Sequence, residues 1–399
     1  ARPARVYTIL LDGLSHSELV YHLENNREAI PNLARLAAKG AMLSHGSTVN
    51  FPSITWPSHS TIMTGAWSGH HDIVNPTFHD REKRQTVPVQ GLIFETEHYL
   101  SREVETLYEA FKRVYGADAL TVSIHEPQGR GADHHVFERR IVGDKARLKE
   151  ITAGLMDNVS PRWMADDKPS MRREEIVDIR GMAQLINLFE HCGDRNHPVF
   201  IAHEFVLTDG AGHDYGPHHE GLREALTRTD ARIGEVLELL HRRGVLDSTL
   251  FVVTSDHGMA PQRIELAANP AAEPVKAGIK GVFAEPMIYL RELAIECVRA
   301  NDRRTLRVTA FENDPDSAGE RPPVEGATVM LLDRGGRLLG RGTTSLLGIA
   351  AFATPANVSD DDLVVEVEHP EFNRRRLRAN GELIPYDVRK ILYGFEDGG

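Results

Sequence analysis

The chain has 399 residues, long enough for two domains or for one large domain with an appendage. Hydrophobic residues make up 41% and charged residues 26%, as in an ordinary globular protein, and no apolar run approaches the length of a membrane-spanning helix. The net charge of −12 argues against a protein that coats nucleic acid, although bound metal ions would still permit an anionic substrate.

The two cysteines, Cys192 and Cys297, provide neither a disulfide framework nor a cysteine-type zinc motif. The chain begins at Ala1 without a methionine and shows no signal-peptide pattern, which is compatible with a leader that has been removed. The sequence leaves the compartment open, with an exported or periplasmic location favoured over a cytoplasmic one. The oligomeric state is also open.

The first predicted strand is the apolar run of residues 6–11, which ends in Asp12 and Gly13. A continuous apolar run is typical of a buried parallel strand. An aspartate at its end either opens an ordinary turn or offers an acidic group at the edge of the sheet. Residues 31–39 predict a helix that ends at Gly40, and residues 41–49 predict a short strand.

The stretch of residues 50–65 places Thr55 where a strand ends and a helix begins, since Pro57 is well tolerated in a first helical turn. Such a threonine commonly caps the helix. Its hydroxyl also faces unpaired backbone N–H groups and the positive end of the helix dipole, a good position for an oxygen nucleophile that receives a phosphoryl group. Three distant segments of the chain, each with an aspartate at the end of a predicted strand, favour the nucleophile over the helix cap.

The middle of the chain contains two loops of interest. The turn-rich loop after residue 68 contains Asn75, whose amide can donate to an anionic oxygen, although Asn-Pro is also a common turn pair. Residues 104–115 predict a helix and residues 119–125 a strand. The following loop, residues 126–135, is expected to be a solvated connector, with reach into an active site as the alternative. Residues 143–192 are predicted to be mostly helical.

Two further apolar strands end in acidic residues. Residues 198–207 are followed by Asp209 and His213, which two glycines in a predicted flexible turn can bring to one ion. After a long amphipathic helix, the next strand ends in Asp256 and His257. Short apolar strands that alternate with helices predict an α/β fold with a mostly parallel sheet between two helix layers. Ligands bind such sheets at the carboxyl ends of the strands, where all three aspartates lie.

The pattern changes near residue 302, where the helical period gives way to short strands and turns. This predicts a small C-terminal β-sandwich. We expect two domains, residues 1–301 and residues 302–399, and the sandwich resembles the prealbumin-like regulatory modules of carboxypeptidases. The aspartate and histidine residues at the strand ends of the first domain are suitable ligands for zinc and similar ions.

Taken together, five segments of the first domain resemble the type I phosphodiesterase/nucleotide pyrophosphatase branch of the alkaline phosphatase superfamily. The segments appear in the order typical of that family and span about residues 5–290. They are Asp12 after the first strand, the Thr55–Gly65 stretch, His71–Asn75, Asp209–Pro217 and Ser255–Met259.

The resemblance implies a hydrolase of phosphodiesters or nucleotides with two divalent metal ions, most simply zinc, with manganese or iron as alternatives. One ion would be held by Asp12, Asp256, His257 and the Thr55 oxygen. The other would be held by Asp209 and His213. Thr55 would attack phosphorus and form a phosphothreonine, while Asn75 would donate to the non-bridging oxygens, where charge accumulates. The expected partner is therefore a small phosphodiester or nucleotide.

The chain departs from the family pattern at the third protein ligand of the second ion, a histidine downstream of the Asp-His pair. His369 has a similar spacing but lies in the predicted sandwich, where an exposed residue is the commoner interpretation. Two alternatives to a diesterase remain: a phosphonate hydrolase or phosphomonoesterase with the same site, and a binding protein that has lost part of its metal site. Four loop residues are alternative ligands, namely His134, His135, His218 and His219.

Overall fold

The computed structural model describes residues 4–80, 85–89, 96–135, 140–158, 167–192, 197–261, 276, 278–284, 287–313, 321–355 and 357–384. The chain forms two compact units, one of residues 1–76 and 88–262 and the other of residues 77–87 and 263–399. No helix in the described ranges is long and apolar enough to cross a membrane.

The described helices and strands are numbered here along the chain. The strands are β1 (Arg5–Leu11), β2 (Phe78–Asp80), β3 (Gln85–Val87), β4 (Thr121–Ile124), β5 (His134–His135), β6 (Phe200–Phe205), β7 (Thr249–Thr254), β8 (Gly281–Ala284), β9 (Met287–Leu290), β10 (Leu293–Arg299), β11 (Thr305–Glu312), β12 (Thr328–Asp333), β13 (Leu338–Thr343), β14 (Ile349–Ala353), β15 (Leu363–His369) and β16 (Phe372–Arg378). The helices are α1 (His16–Asn25), α2 (Pro31–Lys39), α3 (Thr55–Thr64), α4 (Ser68–His71), α5 (Thr96–Tyr99), α6 (Leu107–Tyr115), α7 (Lys145–Asp157), α8 (Pro169–Cys192), α9 (Leu207–Tyr215) and α10 (Glu220–Arg242).

The first unit contains a parallel sheet in the order β5-β4-β6-β1-β7. Successive side chains of a strand point to opposite faces, and both faces are buried along the inner strands β1, β4 and β6, whereas Leu250 and Val252 of the edge strand β7 are exposed. Ile9 and Leu11 of β1 belong to a cluster with residues of α8 and α10, whereas Leu10 packs with Met63 of α3 and Tyr108 of α6. The predicted α/β architecture is therefore confirmed.

Turn chemistry explains several helix boundaries in this unit. Helix α2 begins at Pro31 and ends before Gly40, as the sequence predicts. Helix α6 carries a complete capping box, in which Thr106 and Glu109 each bind the other's backbone N–H. The predicted strand over residues 41–49 is wrong. That segment is irregular, and side chains such as Leu43, 69% exposed, are too open to water for a strand of this sheet.

The second unit is built from antiparallel strands. Its sheets have the orders β10-β11-β14 and β13-β12-β15-β16, and two hairpins, β2-β3 and β8-β9, accompany them. Val308 and Val365, from different sheets, lie fully buried in one apolar cluster, as in a sandwich. This division differs from the predicted boundary after residue 301, because β10 already pairs with β11 along its whole length. The resemblance to carboxypeptidase modules remains a prediction.

Candidate active site

The carboxyl ends of three neighbouring strands carry the predicted acidic residues. Strand β1 lies between β6 and β7, so the turns that follow these strands are adjacent. The Gly13 N–H donates to Asp256 Oδ1 at 3.1 Å, and the Thr208 hydroxyl donates to the Asp12 carbonyl at 2.6 Å. These two bonds fasten the turns to one another and hold the acidic side chains at one edge of the sheet.

Three of the predicted ligands converge at this edge. Asp12, Asp209 and His257 each offer a ligand atom, and these atoms all lie within 4.8 Å of one another. His257 Nε2 is 3.5 Å from Asp12 Oδ1 and 3.3 Å from Asp256 Oδ2. The structure therefore brings together four side chains from three distant segments of the chain.

Thr55 lies at the same place. It is the first residue of α3, and its Oγ1 is 3.4 Å from His257 Nε2. The residue at the helix-cap position is Ile54, and no side chain caps this helix. The helix-cap interpretation of Thr55 is therefore wrong, and the hydroxyl instead faces the cluster of acidic and imidazole groups.

Asp209 and His213 do not lie in a flexible turn, contrary to the prediction. They belong to helix α9, where a spacing of four residues puts them on one face. Asp209 Oδ2 and His213 Nε2 are 3.4 Å apart, and the His213 side chain is 67% exposed. The pair is therefore held by a helix, with His213 open to solvent and Asp209 mostly buried.

Asn75 follows the short helix α4 and is buried, with 2% exposure. Its loop is fastened to the helix of Thr55 by His71, whose Nε2 lies 3.0 Å from Thr61 Oγ1. The Ile73 N–H donates to the other ring nitrogen of His71 at 3.1 Å. The part of Asn75 in binding an anionic oxygen remains a prediction.

The alternative ligands for a second ion have other partners. His134 accepts from the Val142 N–H, His135 lies 3.1 Å from the Glu126 carbonyl, and His218 binds Glu18 at 2.9 Å. His219 caps α10 and stacks on Tyr215, and His369, at the end of β15, accepts from the Glu371 N–H. The metal-ligand groups found among the described residues of the first unit include none of the four loop histidines.

The electrostatics of the cluster indicate a surplus of buried negative charge. Burial, reinforced by Asp256 and Asp209, raises the pKa of Asp12 well above its usual range. Burial also raises the pKa of Asp209, and it raises the pKa of Glu204, at the end of β6, to about 7. For Asp256, burial is outweighed by His59 and His257, which lower its pKa to about 2. A divalent cation would neutralise this surplus.

The residues present fit such a cation. Asp12 Oδ1 and Asp256 Oδ2 are buried and, within the described part of the chain, have no hydrogen-bond partner of suitable geometry. Buried carboxylate oxygens normally have partners, so two such atoms beside His257 are what a metal site requires. A set of carboxylate and imidazole ligands suits zinc, manganese and iron.

Four buried polar residues near this cluster were not among the predicted site residues. His59 is fully buried on α3, with Nδ1 2.7 Å from Glu126 Oε2 and Nε2 2.9 Å from Glu204 Oε1. An acidic residue inside the apolar run of β6 was the available signal for Glu204. Glu126 and Gln128 at one end of the loop and His134 and His135 at the other are completely buried, so the expectation of a solvated connector over residues 126–135 is wrong.

Comparison with known proteins identifies the family. The model of the type I phosphodiesterase / nucleotide pyrophosphatase family matches residues 6–321. An uncharacterized pyrophosphatase/phosphodiesterase of Schizosaccharomyces pombe is 25% identical over 259 residues, 64% of this chain and 45% of the relative. The bis(5'-adenosyl)-triphosphatase of Mus musculus is 25% identical over 234 residues, 58% of this chain and 43% of the relative. The chain thus spans less than half the length of either.

A solved structure supports the fold. The wild-type alkaline phosphatase PafA superposes with a TM-score of 0.53 and 14% identity, covering 73% of this chain and 72% of that one. The parallel sheet, the strand-end cluster of acidic residues and the family match, which covers most of the sequence, agree with one another. The chain belongs to the type I phosphodiesterase / nucleotide pyrophosphatase family.

Proposed function

We propose that the protein is a metal-dependent phosphoric ester hydrolase of the phosphodiesterase/nucleotide pyrophosphatase type, with Thr55 as its nucleophile. The observation that carries the proposal is the position of the Thr55 hydroxyl, 3.4 Å from His257 Nε2 at the start of α3. Beside His257 lie the carboxylates of Asp12 and Asp256. A hydroxyl in such a polar cluster is suited to attack phosphorus.

Two groups of side chains would hold the ions. Asp12, Asp256, His257 and the Thr55 oxygen form the first group, and Asp209 with His213 forms the second. When bound, two divalent ions make a hydroxyl a stronger nucleophile and offset the charge that builds on the attacking and leaving oxygens. Zinc is the first choice, and manganese or iron would suit the same ligands.

The chain's own residues define the covalent steps. Thr55 Oγ1 forms a bond to phosphorus while the bond from phosphorus to the leaving-group oxygen breaks, and the hydroxyl proton leaves to solvent. The product is a phosphothreonine, which water hydrolyses to release the phosphate product and restore Thr55. The Asn75 amide would donate to a non-bridging oxygen, and as a neutral group it suits a monoanionic diester.

The substrate class follows from the same residues and from the family. We propose a small phosphodiester or a nucleotide, consistent with the activity named for the Mus musculus relative. An exported or periplasmic location remains a prediction. The rates for a nitrophenyl phosphodiester, a nitrophenyl phosphate and a nitrophenyl phosphonate ester would rank the three candidate reactions, and a diester rate below the other two would contradict the diesterase assignment.

The direct test is to replace Thr55. Thr55→Ala should abolish hydrolysis of the diester, whereas Thr55→Ser, which keeps the hydroxyl, should retain measurable activity and a phosphorylated intermediate. Far-ultraviolet circular dichroism should be unchanged in both, since Thr55 is only partly buried. Activity of Thr55→Ala within a few-fold of the parent would refute the nucleophile assignment. The zinc content separates an enzyme from a binding protein: two equivalents per chain favour catalysis, and one or none favours binding alone.

A further inference from the structure

The His59 imidazole is a buried polar group of the first unit with acidic neighbours on both sides. His59 lies one helical turn after Thr55 on α3, is 0% exposed, and has a carboxylate at each ring nitrogen. Nδ1 is 2.7 Å from Glu126 Oε2, and Nε2 is 2.9 Å from Glu204 Oε1. Nε2 also lies 3.5 Å from Asp256 Oδ2. One side chain thus connects the helix of the proposed nucleophile with the ends of β4, β6 and β7.

Glu126 is itself held in a fixed orientation. Its Oε1 accepts from the Gln128 N–H at 3.0 Å, and the Gln128 amide donates to Ser60 Oγ at 2.7 Å. Ser60 follows His59 on α3, so the hydrogen bonds form a closed ring from α3 through Gln128 and Glu126 back to His59. A ring of this kind fixes the tilt of the imidazole and leaves Nε2 directed toward the strand ends.

The target of His59 is a proposed metal ligand. Asp256 Oδ1 accepts from the backbone N–H groups of Gly13 and His257, at 3.1 and 2.7 Å. Asp256 Oδ2 is the oxygen left over, and it lies between His59 Nε2 at 3.5 Å and His257 Nε2 at 3.3 Å. This carboxylate is therefore held by two backbone hydrogen bonds at Oδ1, and its Oδ2 lies within ion-pair distance of both His59 and His257.

A purely structural role accounts poorly for this arrangement. Buried ion pairs contribute little net stability, and well-packed apolar residues of similar volume often do better. Here one histidine and two glutamates, exposed by no more than 3%, occupy the core directly below the proposed site. Their polar atoms point toward the acidic residues of that site.

We propose that His59 is a positioning residue, oriented by Glu126, that fixes the Asp256 carboxylate and the start of α3 relative to each other and thereby preorganises the metal site. The inference rests on the proposed function, because it assumes that Asp256 holds an ion. His59 acts through Asp256 and makes no contact with substrate. Outer partners of metal ligands typically contribute about 10–100-fold to metal affinity.

The experiment compares three variants of the full chain. His59→Gln removes the two-sided contact, Glu126→Gln weakens the orienting bond but keeps an acceptor, and Tyr7→Phe is the matched control. Tyr7 is equally buried and gives up its 2.7 Å bond to His203 in the same sheet, away from the proposed ligands. The measurements are zinc affinity by competition with a chelating dye, the number of zinc equivalents, and thermal unfolding of the metal-free and zinc-loaded proteins.

His59→Gln should weaken zinc binding by about 10–100-fold and lower kcat more than it changes KM. Glu126→Gln should shift both quantities in the same direction by a smaller factor, and it keeps the test valid if His59→Gln does not fold. Tyr7→Phe should leave zinc affinity within about twofold, even where metal-free stability falls. Two bound equivalents should remain in every variant.

Two results would overturn the inference alone. One is unchanged zinc affinity in both His59→Gln and Glu126→Gln with only a loss of metal-free stability, which would make the ring structural. The other is loss of one whole equivalent of zinc in His59→Gln with the affinity of the rest unchanged. That result would make His59 a ligand, since His59, Asp12 and Glu204 also offer atoms within 4.8 Å of one another. A parent protein that binds no divalent ion would instead overturn the proposed function.

Discussion

Gly13→Ala tests how closely the turn after β1 must approach Asp209 in the first turn of helix α9. Gly13 has φ +70°, and a Cβ built on it would lie 2.8 Å from Asp209 Oδ1 and 2.9 Å from Asp209 Cα. The left-handed backbone costs an alanine about 1–2 kcal/mol. The overlap with a backbone atom, which cannot rotate away, adds about 1–3 kcal/mol. We expect a total loss of about 2–5 kcal/mol in the free energy of unfolding.

Gly65→Ala is the matched control. Gly65 has φ +69°, nearly the same backbone conformation, and nothing lies within 4 Å of the Cβ that would be added. This variant should lose only the backbone contribution of about 1–2 kcal/mol. Urea denaturation in the presence of a chelator gives the free energy of unfolding of both variants, and the difference between their losses is the contribution of the steric overlap. A zinc titration then shows whether Asp209 has been displaced. Equal losses of stability together with unchanged zinc affinity would refute the reasoning.

Three further predictions concern stability. Burial lowers the pKa of His125 to about 3 and that of His135 to about 4. Below pH 6.5 the unfolded chain therefore binds more protons at these histidines than the folded chain does. The free energy of unfolding should fall by about 2 kcal/mol per histidine from pH 7 to pH 5. The urea midpoint of His135→Gln should fall less from pH 7 to pH 5 than the midpoint of the parent. An equal fall in the two proteins would contradict the lowered pKa of His135. Asp230 on α10 accepts hydrogen bonds from two backbone N–H groups in the first turn of α2. Asp230→Ala should therefore lower the free energy of unfolding by about 1–3 kcal/mol. Asp247 is exposed, and the control Asp247→Ala should change the free energy of unfolding by less than about 0.5 kcal/mol. A chelator should lower the melting temperature of the parent, because ions that bind only the folded site stabilise it; a scan unaffected by the chelator would count against a resident metal.

The strand-end acids were predictable because their signal is local. Asp12 and Asp256 each follow a short apolar run, and parallel strands deliver their carboxyl ends to one edge of the sheet. Thr55 was equally visible as a hydroxyl just before Pro57, a residue that favours the first turn of a helix. For these residues a short window of sequence contains both the element and the position of the side chain within it.

Helix α9 was not predictable from propensity. Gly210 and Gly212 disfavour a helix in isolation, so the segment resembles a turn. In the structure, a Cβ on Gly210 would lie 2.5 Å from the Glu174 side chain, and one on Gly212 would lie 2.4 Å from Met259. The glycines are there because neighbouring elements approach closely, and tertiary packing supplies the helix stability that the residues lack. The residues that pack against these glycines, such as Glu174 and Met259, are distant in sequence, so the local sequence does not reveal the helix.

His59 escaped prediction for a related reason. A polar residue in a helix ordinarily faces water, and Glu126, one of its partners, is 67 residues away in a loop that looked solvated. Neither residue forms a motif by itself. Only the folded sheet brings the end of β4 against α3, so the pairing could be found from structure but not from spacing.

The path of the chain between its two units bears on how the protein can be divided. Residues 77–87 leave the first unit, form the β2-β3 hairpin within the second and then return, so the backbone passes between the units three times. The His79 N–H donates to the Tyr289 hydroxyl in that second unit. A cut near residue 262 would therefore separate the β2-β3 hairpin from the rest of the second unit. Exchanging the β-rich unit between relatives requires grafting two separate segments, so recombination at a single junction cannot transfer it intact.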